Sequence, residues 1–252
     1  MRVTRQQTEK MICYEDEAVV VVHKPPFLAV ETRDPRQQDL VSLLVNRRVA
    51  AGEAAFIGVV QRLDQPVEGL LVLAKTKAAA AALSESLRKG DFAKEYVAVV
   101  QGVPEASGTL VHTLKKDGRT NTSAVVPTGT PGGKEAKLSY ERLAVADERS
   151  LLRIHLDTGR HHQIRVQFAA VGHPLVGDAK YGGREDGGCG VFDGSDKRTG
   201  NGSVGRSRTQ GGQPLALCSC RLVFIHPDTK EVMEFHTTPT GAGFHEWKKA
   251  LG

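Results

Sequence analysis

Three neighbouring residues in the first third of the chain could place a carboxylate for catalysis. They are Arg62, Leu63 and Asp64, and an apolar run at 69–74 follows them. Such a run is typical of a buried strand, and a loop residue presented by a rigid strand is a common site of chemistry. The other interpretation is a surface turn in which Asp64 pairs with Arg62, because Asp is common in turns with Pro, here Pro66. These residues alone leave both interpretations open.

A second polar cluster opens a segment with helical periodicity. Ile164, Phe168 and Val171 share one helical face, and Gly172 and Pro174 mark its end. Exposed amides at a helix N-terminus, with cations nearby, suit a phosphate or a carboxylate. The alternative is a capped, solvated helix start. The cluster comprises Arg160, His161, His162, Gln163 and, one turn into the helix, Arg165.

Tyr96 and Lys94 form a third candidate site, on a strand predicted over 94–102. A tyrosine on a strand usually packs in the core with its hydroxyl group hydrogen-bonded. Beside a cation it could equally be an aromatic platform, which is how proteins hold single bases.

Metal and cofactor sites are not expected. His155, His161 and His162 lack Cys or carboxylate ligands at a useful spacing for zinc. Cys218 and Cys220 are two residues apart, which is the wrong spacing for a C-x-x-C zinc or redox site. The sequence contains no glycine-rich phosphate loop, H-E-x-x-H pair or G-x-S-x-G elbow.

Composition and charge are those of an ordinary soluble globular protein. The chain has 252 residues, of which 40% are hydrophobic and 25% charged. Neither a membrane-spanning apolar stretch nor a secretory signal is evident. The net charge of +5 raises the odds of a nucleic-acid partner only slightly. The four cysteines are expected to be buried or half-buried free thiols, so we predict a cytoplasmic protein.

The secondary-structure pattern favours an α+β fold. Predicted strands outnumber predicted helices and do not alternate with them one to one, which favours a largely antiparallel sheet over a doubly wound parallel one. Helices are predicted over 39–50, 77–89 and from the cluster at 160–165 onward. Strands are predicted within 17–26, 69–75, 94–102, 136–145, 150–159 and 215–227.

Taken in order, these segments resemble the RluA-type RNA pseudouridine synthases. The family's H-R-L-D motif, followed by an apolar strand ending in A-K, appears at 61–64 and 69–75. Its K-x-Y motif appears at 94–96 and its G-R-x-H-Q-I-R motif at 159–165, and "KPPFLAV" at 24–30 resembles its K-P-x-G-x-x-V stretch, with Phe27 at the glycine position. The segments "GHPLVGDAKYG" and "LALC…LVFIHP" also match in order, and the resemblance covers about residues 17–240.

The resemblance implies both a fold and a reaction. The fold is the pseudouridine synthase catalytic fold, a largely antiparallel mixed β-sheet flanked by helices and loops. The reaction isomerises specific uridines in rRNA or tRNA: the N1–C1′ bond breaks, the base rotates and a C5–C1′ bond forms. It is redox-neutral and moves no phosphate, so no metal or organic cofactor is implied. A catalytically inactive RNA-binding or ribosome-assembly protein on the same fold is the alternative.

The resemblance also implies roles for individual residues. Asp64 would be the catalytic carboxylate, acting as a nucleophile or as a base, with Arg165 as its ion-pair partner. Tyr96 would pack against the flipped base and could assist in removing the C5 proton. Arg62 would enter the RNA stack in place of the extruded nucleotide. The remaining RNA contacts would come from Gln61, Lys75, Lys94, Arg160, His161, His162 and Gln163.

Four further positions depart from the family pattern. Gln61 replaces the usual His, Val67-Glu68 replaces small or hydroxyl residues, and Cys218 stands where His is common. Gln can form hydrogen bonds but cannot be protonated near neutral pH. We therefore expect the departures to affect RNA gripping more than the chemistry.

We interpret residues 1–252 as a single pseudouridine synthase catalytic domain with a core of about 17–240. Residues 183–213 are rich in glycine and poor in apolar side chains, which predicts a flexible surface insertion. No separate N-terminal RNA-binding domain is expected. We expect a monomer whose partner is RNA.

Overall fold

The computed structural model describes residues 3–182 and 214–251. The predicted insertion at 183–213 lies outside the described residues. The strands are β1 (Ile12–Glu15), β2 (Val19–Lys24), β3 (Gly58–Val59), β4 (Glu68–Ala74), β5 (Ala93–Gln101), β6 (Ser107–Asp117), β7 (Thr122–Val126), β8 (Lys134–Ala146), β9 (Arg149–Leu156), β10 (Leu217–Ile225) and β11 (Val232–His236). The helices are α1 (Arg5–Met11), α2 (Leu40–Ala50), α3 (Lys77–Lys89), α4 (Gln163–Ala170), a 3₁₀ helix (Ala242–Trp247) and α5 (Lys248–Leu251).

All described strands belong to one sheet, in the order β1-β2-β4-β10-β5-β9-β8-β6-β7, with β3 paired to β4 and β11 to β10. Only the β4–β10 pair is parallel among these pairings. The α+β class and the largely antiparallel mixed sheet are therefore confirmed.

The predicted helix boundaries follow from local capping chemistry. The Asp39 side chain accepts a hydrogen bond from the Ser42 amide at the start of α2. The Thr76 side chain does the same for the Ala79 amide at the start of α3. Gly90 ends α3 in the left-handed conformation, with φ of 88°, where a residue without Cβ pays no steric penalty.

Strand β4 lies at the centre of the molecule and is buried along its whole length. Leu71 and Leu73 pack with α2 on one face, whereas Leu70 and Val72 pack with α3 on the other. Such double-sided burial explains why the run is apolar without alternation. At Gly69, with φ of 119°, an added Cβ would lie 2.3 Å from the Ser219 carbonyl oxygen. Glycine is therefore required where β4 meets β10.

Several elements near the chain ends were not predicted. They are α1, β1, β11, the 3₁₀ helix and α5. Among the helices of the described residues, none combines the length and apolar character needed to cross a membrane. Of the described cysteines, Cys218 is buried and Cys220 half-buried as predicted, but Cys13 is exposed, which corrects the prediction for that residue.

Candidate active site

A large groove crosses the sheet and brings the three predicted clusters together. Every residue predicted for the site, with the exception of Lys75, lines this groove. Its lining comes from the loop at 60–67 between β3 and β4 and from the segments at 155–165 and 175–180. Tyr96 and Lys94 on β5 also line it.

The loop that carries Asp64 is anchored on both sides of that residue. Leu63 packs against two core clusters, and Val67 is buried in one of them. The Val67 amide donates a hydrogen bond to the Asp64 carbonyl, with N to O at 3.0 Å. Asp64 is thus a half-buried residue on a loop that is fixed in the core on both sides of it.

Lys24, which the sequence analysis did not single out, also fixes this loop. Its side chain is fully buried. The ammonium donates to the carbonyls of Pro25 (3.0 Å), Leu28 (2.8 Å) and Gln65 (3.2 Å). Burial lowers the pKa of Lys24 to about 7, although the Asp64 and Glu68 carboxylates act in the opposite direction. The last residue of β2 therefore joins the turn at 25–28 to the Asp64 loop.

Asp64 pairs with Arg165 and not with Arg62. Arg165 Nη1 lies 3.2 Å from Asp64 Oδ2. The rest of the guanidinium is held by Asp178, through Nε to Oδ2 at 2.8 Å and Nη2 to Oδ1 at 2.7 Å. Arg165 and Asp178 are buried, but the Asp64 side chain remains 26% exposed to the groove.

The two carboxylates keep Arg165 charged in this buried position. Burial acts to lower the pKa of Arg165, but contacts with Asp178 and Asp64 outweigh it and raise the pKa above its ordinary value. Asp178 also accepts bonds from the amides of Lys180 and Tyr181. Asp64 Oδ1 has no hydrogen-bond partner among the described residues. One carboxylate oxygen is therefore oriented by Arg165, and the other remains available in the groove.

His162 lies beside the same carboxylate as a neutral ring. Burial first, and then the positive charge of Arg165, lower its pKa to about 2. Its Nδ1 lies 2.6 Å from the Tyr181 hydroxyl, which also accepts the Ser123 amide proton. The hydroxyl proton is therefore free to bond Nδ1, which leaves an Nε2 proton facing Asp64 Oδ2 at 3.5 Å.

Tyr96 is a core residue with one edge on the groove. It is 7% exposed and packs in the same cluster as Val67 and Ile164. Burial, followed by the negative charge of Asp64, raises its pKa, so the phenol stays protonated. Lys94 is half-buried on the same strand, and burial lowers its pKa to about 8.

The residues predicted to bind RNA fall into two groups. Arg62 is exposed and has no ion-pair partner within the described part of the chain. Arg160 is also exposed, with Nε bonded to the Glu135 carbonyl. Gln61 Nε2, by contrast, is buried without a hydrogen-bond partner among those residues.

Gln163 and Lys75 both bond to other parts of the protein. Gln163 is 3% exposed and its amide group bonds to Thr158, to the Arg160 amide and to the Lys137 carbonyl. Gln163 therefore shapes the start of α4 and is not free to reach RNA.

Lys75 lies away from the groove. Its ammonium is buried 2.9 Å from Glu15 Oε1 and bonds to the Asp16 carbonyl. These partners occupy the Lys75 ammonium within the protein, so the structure gives the predicted phosphate contact no support.

The remaining predicted residues bond within the groove wall. His162 faces Asp64 and Tyr181 rather than solvent, as described above. His161 stacks on His162 with ring centroids 3.7 Å apart, and Nδ1 lies 2.8 Å from Ser123 Oγ. Within residues 3–182 and 214–251, no group of three or more His, Cys, Asp or Glu side chains is placed to hold a metal ion.

Two of the departures from the family pattern have structural explanations. Val67 fills the core, and the buried Glu68 carboxylate accepts hydrogen bonds from Thr240 and from the Gly241 amide. Glu68 therefore ties the segment after β11 to the base of the Asp64 loop.

A family model described as RNA pseudouridylate synthase matches residues 18–170. Among relatives, an uncharacterised RNA pseudouridine synthase of Bacillus subtilis is 32% identical over 89% of this chain and 71% of its own length. Ribosomal large subunit pseudouridine synthase D of Vibrio cholerae is 34% identical over 89% of this chain and 66% of its own. The protein of that name from Escherichia coli K12 is 37% identical over 69% of this chain and 52% of its own. The chain thus spans about half to two thirds of the length of these ribosomal enzymes.

Two solved human structures share the fold. RNA pseudouridylate synthase domain containing 4 aligns with a TM-score of 0.70 at 21% identity, covering 94% of this chain and 91% of the other. RNA pseudouridylate synthase domain containing 1 aligns with a TM-score of 0.65 at 24% identity, covering 90% and 82%. With its sequence motifs, its sheet and the paired Asp64 and Arg165 all in agreement with the family match, this chain belongs to the RNA pseudouridylate synthase family.

Proposed function

We propose that the groove binds RNA and that Asp64 converts one of its uridines to pseudouridine. The observation that carries the proposal is the asymmetry of the Asp64 carboxylate. Arg165 holds Oδ2, whereas Oδ1 is unpartnered among the described residues and faces the groove. A charged, oriented carboxylate with one free oxygen is what nucleophilic or general-base catalysis needs.

The reaction needs no group beyond the protein and the RNA. The N1–C1′ bond of uridine breaks, the base rotates within the site, and a C5–C1′ bond forms. One proton leaves C5 and one proton is gained at N1, so the isomerisation is neutral in protons and electrons. Asp64 acts either on the sugar or base as a nucleophile, or on the C2′ proton as a base. In both cases Arg165 stabilises the ionised carboxylate in a partly desolvated site.

Tyr96 is assigned to packing against the base. Its raised pKa supports this role, because a protonated phenol is a poor base for the C5 proton. The ring lies on the rigid strand β5 and has one edge on the groove. It therefore offers a fixed apolar surface for the uracil ring.

The target uridine must leave its stack to reach Asp64, because the reacting carbon is inaccessible within a helix. Arg62 is suited to fill the vacated position, since it is exposed two residues from Asp64 and free of ion pairs within the described residues. Arg160 and Lys94 add positive charge along the groove. We place the target in large-subunit rRNA, in line with the names of the ribosomal relatives.

The test is to map pseudouridine in total RNA from cells that lack this protein and from cells that carry only Asp64→Asn. We expect one or more rRNA positions to remain uridine in both strains and to be restored by the wild-type gene. Asp64→Asn keeps the shape of the side chain and removes the charge, so folding should persist. If every site is modified in both strains, the enzymatic proposal fails. Loss of tRNA sites only would reassign the target.

Two further features complete the proposal. We place the enzyme in the cytoplasm, where its rRNA substrate is made in a bacterium, and we assign it a monomeric state. Fractionation and light scattering of the purified full chain test these two assignments.

A further inference from the structure

Phe27 has an unusual backbone conformation for its residue type. Its φ is +67°, in the left-handed region where a residue with a bulky side chain is strained. It occupies the glycine position of the K-P-x-G-x-x-V pattern, and glycine adopts this conformation freely. A phenylalanine at this position lacks the conformational freedom of glycine, so we expect its side chain to make a contact that offsets the backbone strain.

The Phe27 side chain receives no packing compensation from the core. It is 45% exposed, whereas its neighbour Leu28 is 7% exposed and belongs to a core cluster. Within the described residues, the Phe27 ring is part of no core cluster and no aromatic pair. A single exposed apolar residue is ordinary, but exposure combined with a strained backbone is not explained by folding.

The backbone of Phe27 is nevertheless firmly held beside the Asp64 loop. Gln65 Nε2 donates to the Phe27 carbonyl at 3.1 Å. The Lys24 ammonium donates hydrogen bonds to the carbonyls of Pro25 and Leu28, before and after Phe27, and to the carbonyl of Gln65. The turn and the Asp64 loop therefore form one cross-linked unit, and the ring cannot drift away from the groove.

The position of the ring indicates what it would contact. Phe27 lines the same groove as Arg62, Asp64 and Tyr96. Tyr96 lies deep in the groove, whereas Phe27 and Arg62 are at its exposed rim. A flat apolar ring on a rigid support, in a groove that also carries exposed cations, is a common arrangement for stacking an unpaired base.

We propose that Phe27 is a stacking platform for an unpaired base that flanks the target uridine, and so helps to select targets in single-stranded or loop RNA. This inference rests on the proposed function. It adds a contact outside the pocket for the reacting base, and it predicts an effect on RNA binding more than on the chemical step.

The experiment compares Phe27→Gly, Phe27→Leu and Phe27→Trp with the wild type, using a transcript that contains the mapped target uridine. Phe27→Gly relieves the strained φ, so its melting temperature should equal or exceed that of the wild type. Its KM for RNA should rise about tenfold, the size expected for one lost base–aromatic stack, with kcat changed less than about twofold. Phe27→Leu should resemble the glycine variant, whereas Phe27→Trp should retain the wild-type KM.

A second arm identifies the base that Phe27 contacts. Transcripts with an abasic nucleotide at each position flanking the target uridine are tested with the wild type and with Phe27→Gly. At one position, the abasic RNA should raise KM for the wild type and leave that of Phe27→Gly nearly unchanged. Equal KM values for the wild type and Phe27→Gly would overturn the inference, as would a KM effect restored by leucine. A wild type that forms no pseudouridine would instead refute the proposed function, with Asp64→Asn as its reference.

Discussion

Two clusters of buried charge in this molecule look alike and differ in one respect. In the groove cluster, Arg165 is bonded to Asp178 and Asp64. In the N-terminal cluster, Lys75 is bonded to Glu15, which also binds Arg47 at 2.8 Å. Both clusters contain a buried cation held by acidic side chains on separate elements.

The difference lies in the use of the carboxylate oxygens. In the N-terminal cluster both oxygens of Glu15 contact a cation, Oε1 that of Lys75 and Oε2 that of Arg47. In the groove cluster, Asp178 saturates most of the guanidinium, and Asp64 contributes only Oδ2. A buried ion pair by itself is therefore not a sign of function. What indicates function is a carboxylate with one oxygen bonded to a cation and the other without a partner among the described residues.

The largest effect is expected for Arg165→Met. Removing this cation leaves the buried Asp178 carboxylate uncompensated, so the free energy of unfolding should fall by about 3–5 kcal/mol. Because Asp64 loses its partner, kcat should also fall at least about a hundredfold. Urea unfolding and single-turnover pseudouridine formation measure the two effects.

The matched control is Arg221→Met, which removes a largely solvent-screened ion pair with Glu95 and Glu234. That change should cost less than about 1 kcal/mol and leave kcat unaltered. If folded Arg165→Met keeps kcat within about twofold of the wild type, Arg165 stabilises the fold only, and the two clusters do not differ in function.

A smaller effect is expected for Lys75→Met in the N-terminal cluster. Glu15 keeps Arg47 and is 18% exposed, so the free energy of unfolding should fall by only about 1–2 kcal/mol. Because Lys75 is outside the groove, KM and the salt dependence of RNA binding should not change. A salt slope reduced by about one relative to the wild type would show a lost phosphate contact and restore the original prediction for Lys75.

The smallest effect is a pH dependence of stability that His162 confers on the groove cluster. In the unfolded chain this side chain is protonated when the pH is below its ordinary pKa of about 6.5. In the folded protein, burial and the charge of Arg165 lower its pKa to about 2. At pH values between these two pKa values the unfolded state binds more protons. The contribution of His162 to the free energy of unfolding is therefore fully present above about pH 6.5 and decreases as the pH is lowered.

His162→Gln isolates this contribution, since other histidines are present in both proteins. Between pH values of about 7.5 and 5.5, the wild type should lose roughly 1 kcal/mol more than the variant, allowing for partial solvent screening. Urea titrations at the two pH values give the difference. If both proteins lose the same stability between the two pH values, His162 is protonated in the folded state, and the neutral ring described above is incorrect.

Local signals in the sequence were sufficient for much of the fold. Asp39, Thr76 and Gly90 cap helices as predicted, because capping depends on residues within one turn. The apolar run at 69–75 correctly indicated a buried strand. The pairing of Asp64 with Arg165, which are far apart in the sequence, came from the family resemblance and not from spacing.

The contacts that the sequence did not reveal join segments that are not adjacent in the chain. Lys75 looked like an exposed cation at the end of a strand, since α1 and β1, which precede its partner Asp16, were not predicted. Asp178 was not singled out, because it lies in a segment without helix or strand that follows α4 and returns to Arg165. Lys24 was passed over for the same reason, as its three acceptors lie on two separate turns.

The junction at Gly69 also bears on how the enzyme is made. Strand β4, which carries the Asp64 loop, pairs with the early strand β2 and with the late strand β10. The residues of β10, and Thr240 and Gly241, which bond to Glu68, are synthesised after all three predicted catalytic residues. Long-range pairing of this kind forms slowly. A nascent chain can therefore display Asp64, Tyr96 and Arg165 before the loop that positions Asp64 is braced, and activity should emerge only after residues 217–241 have left the ribosome.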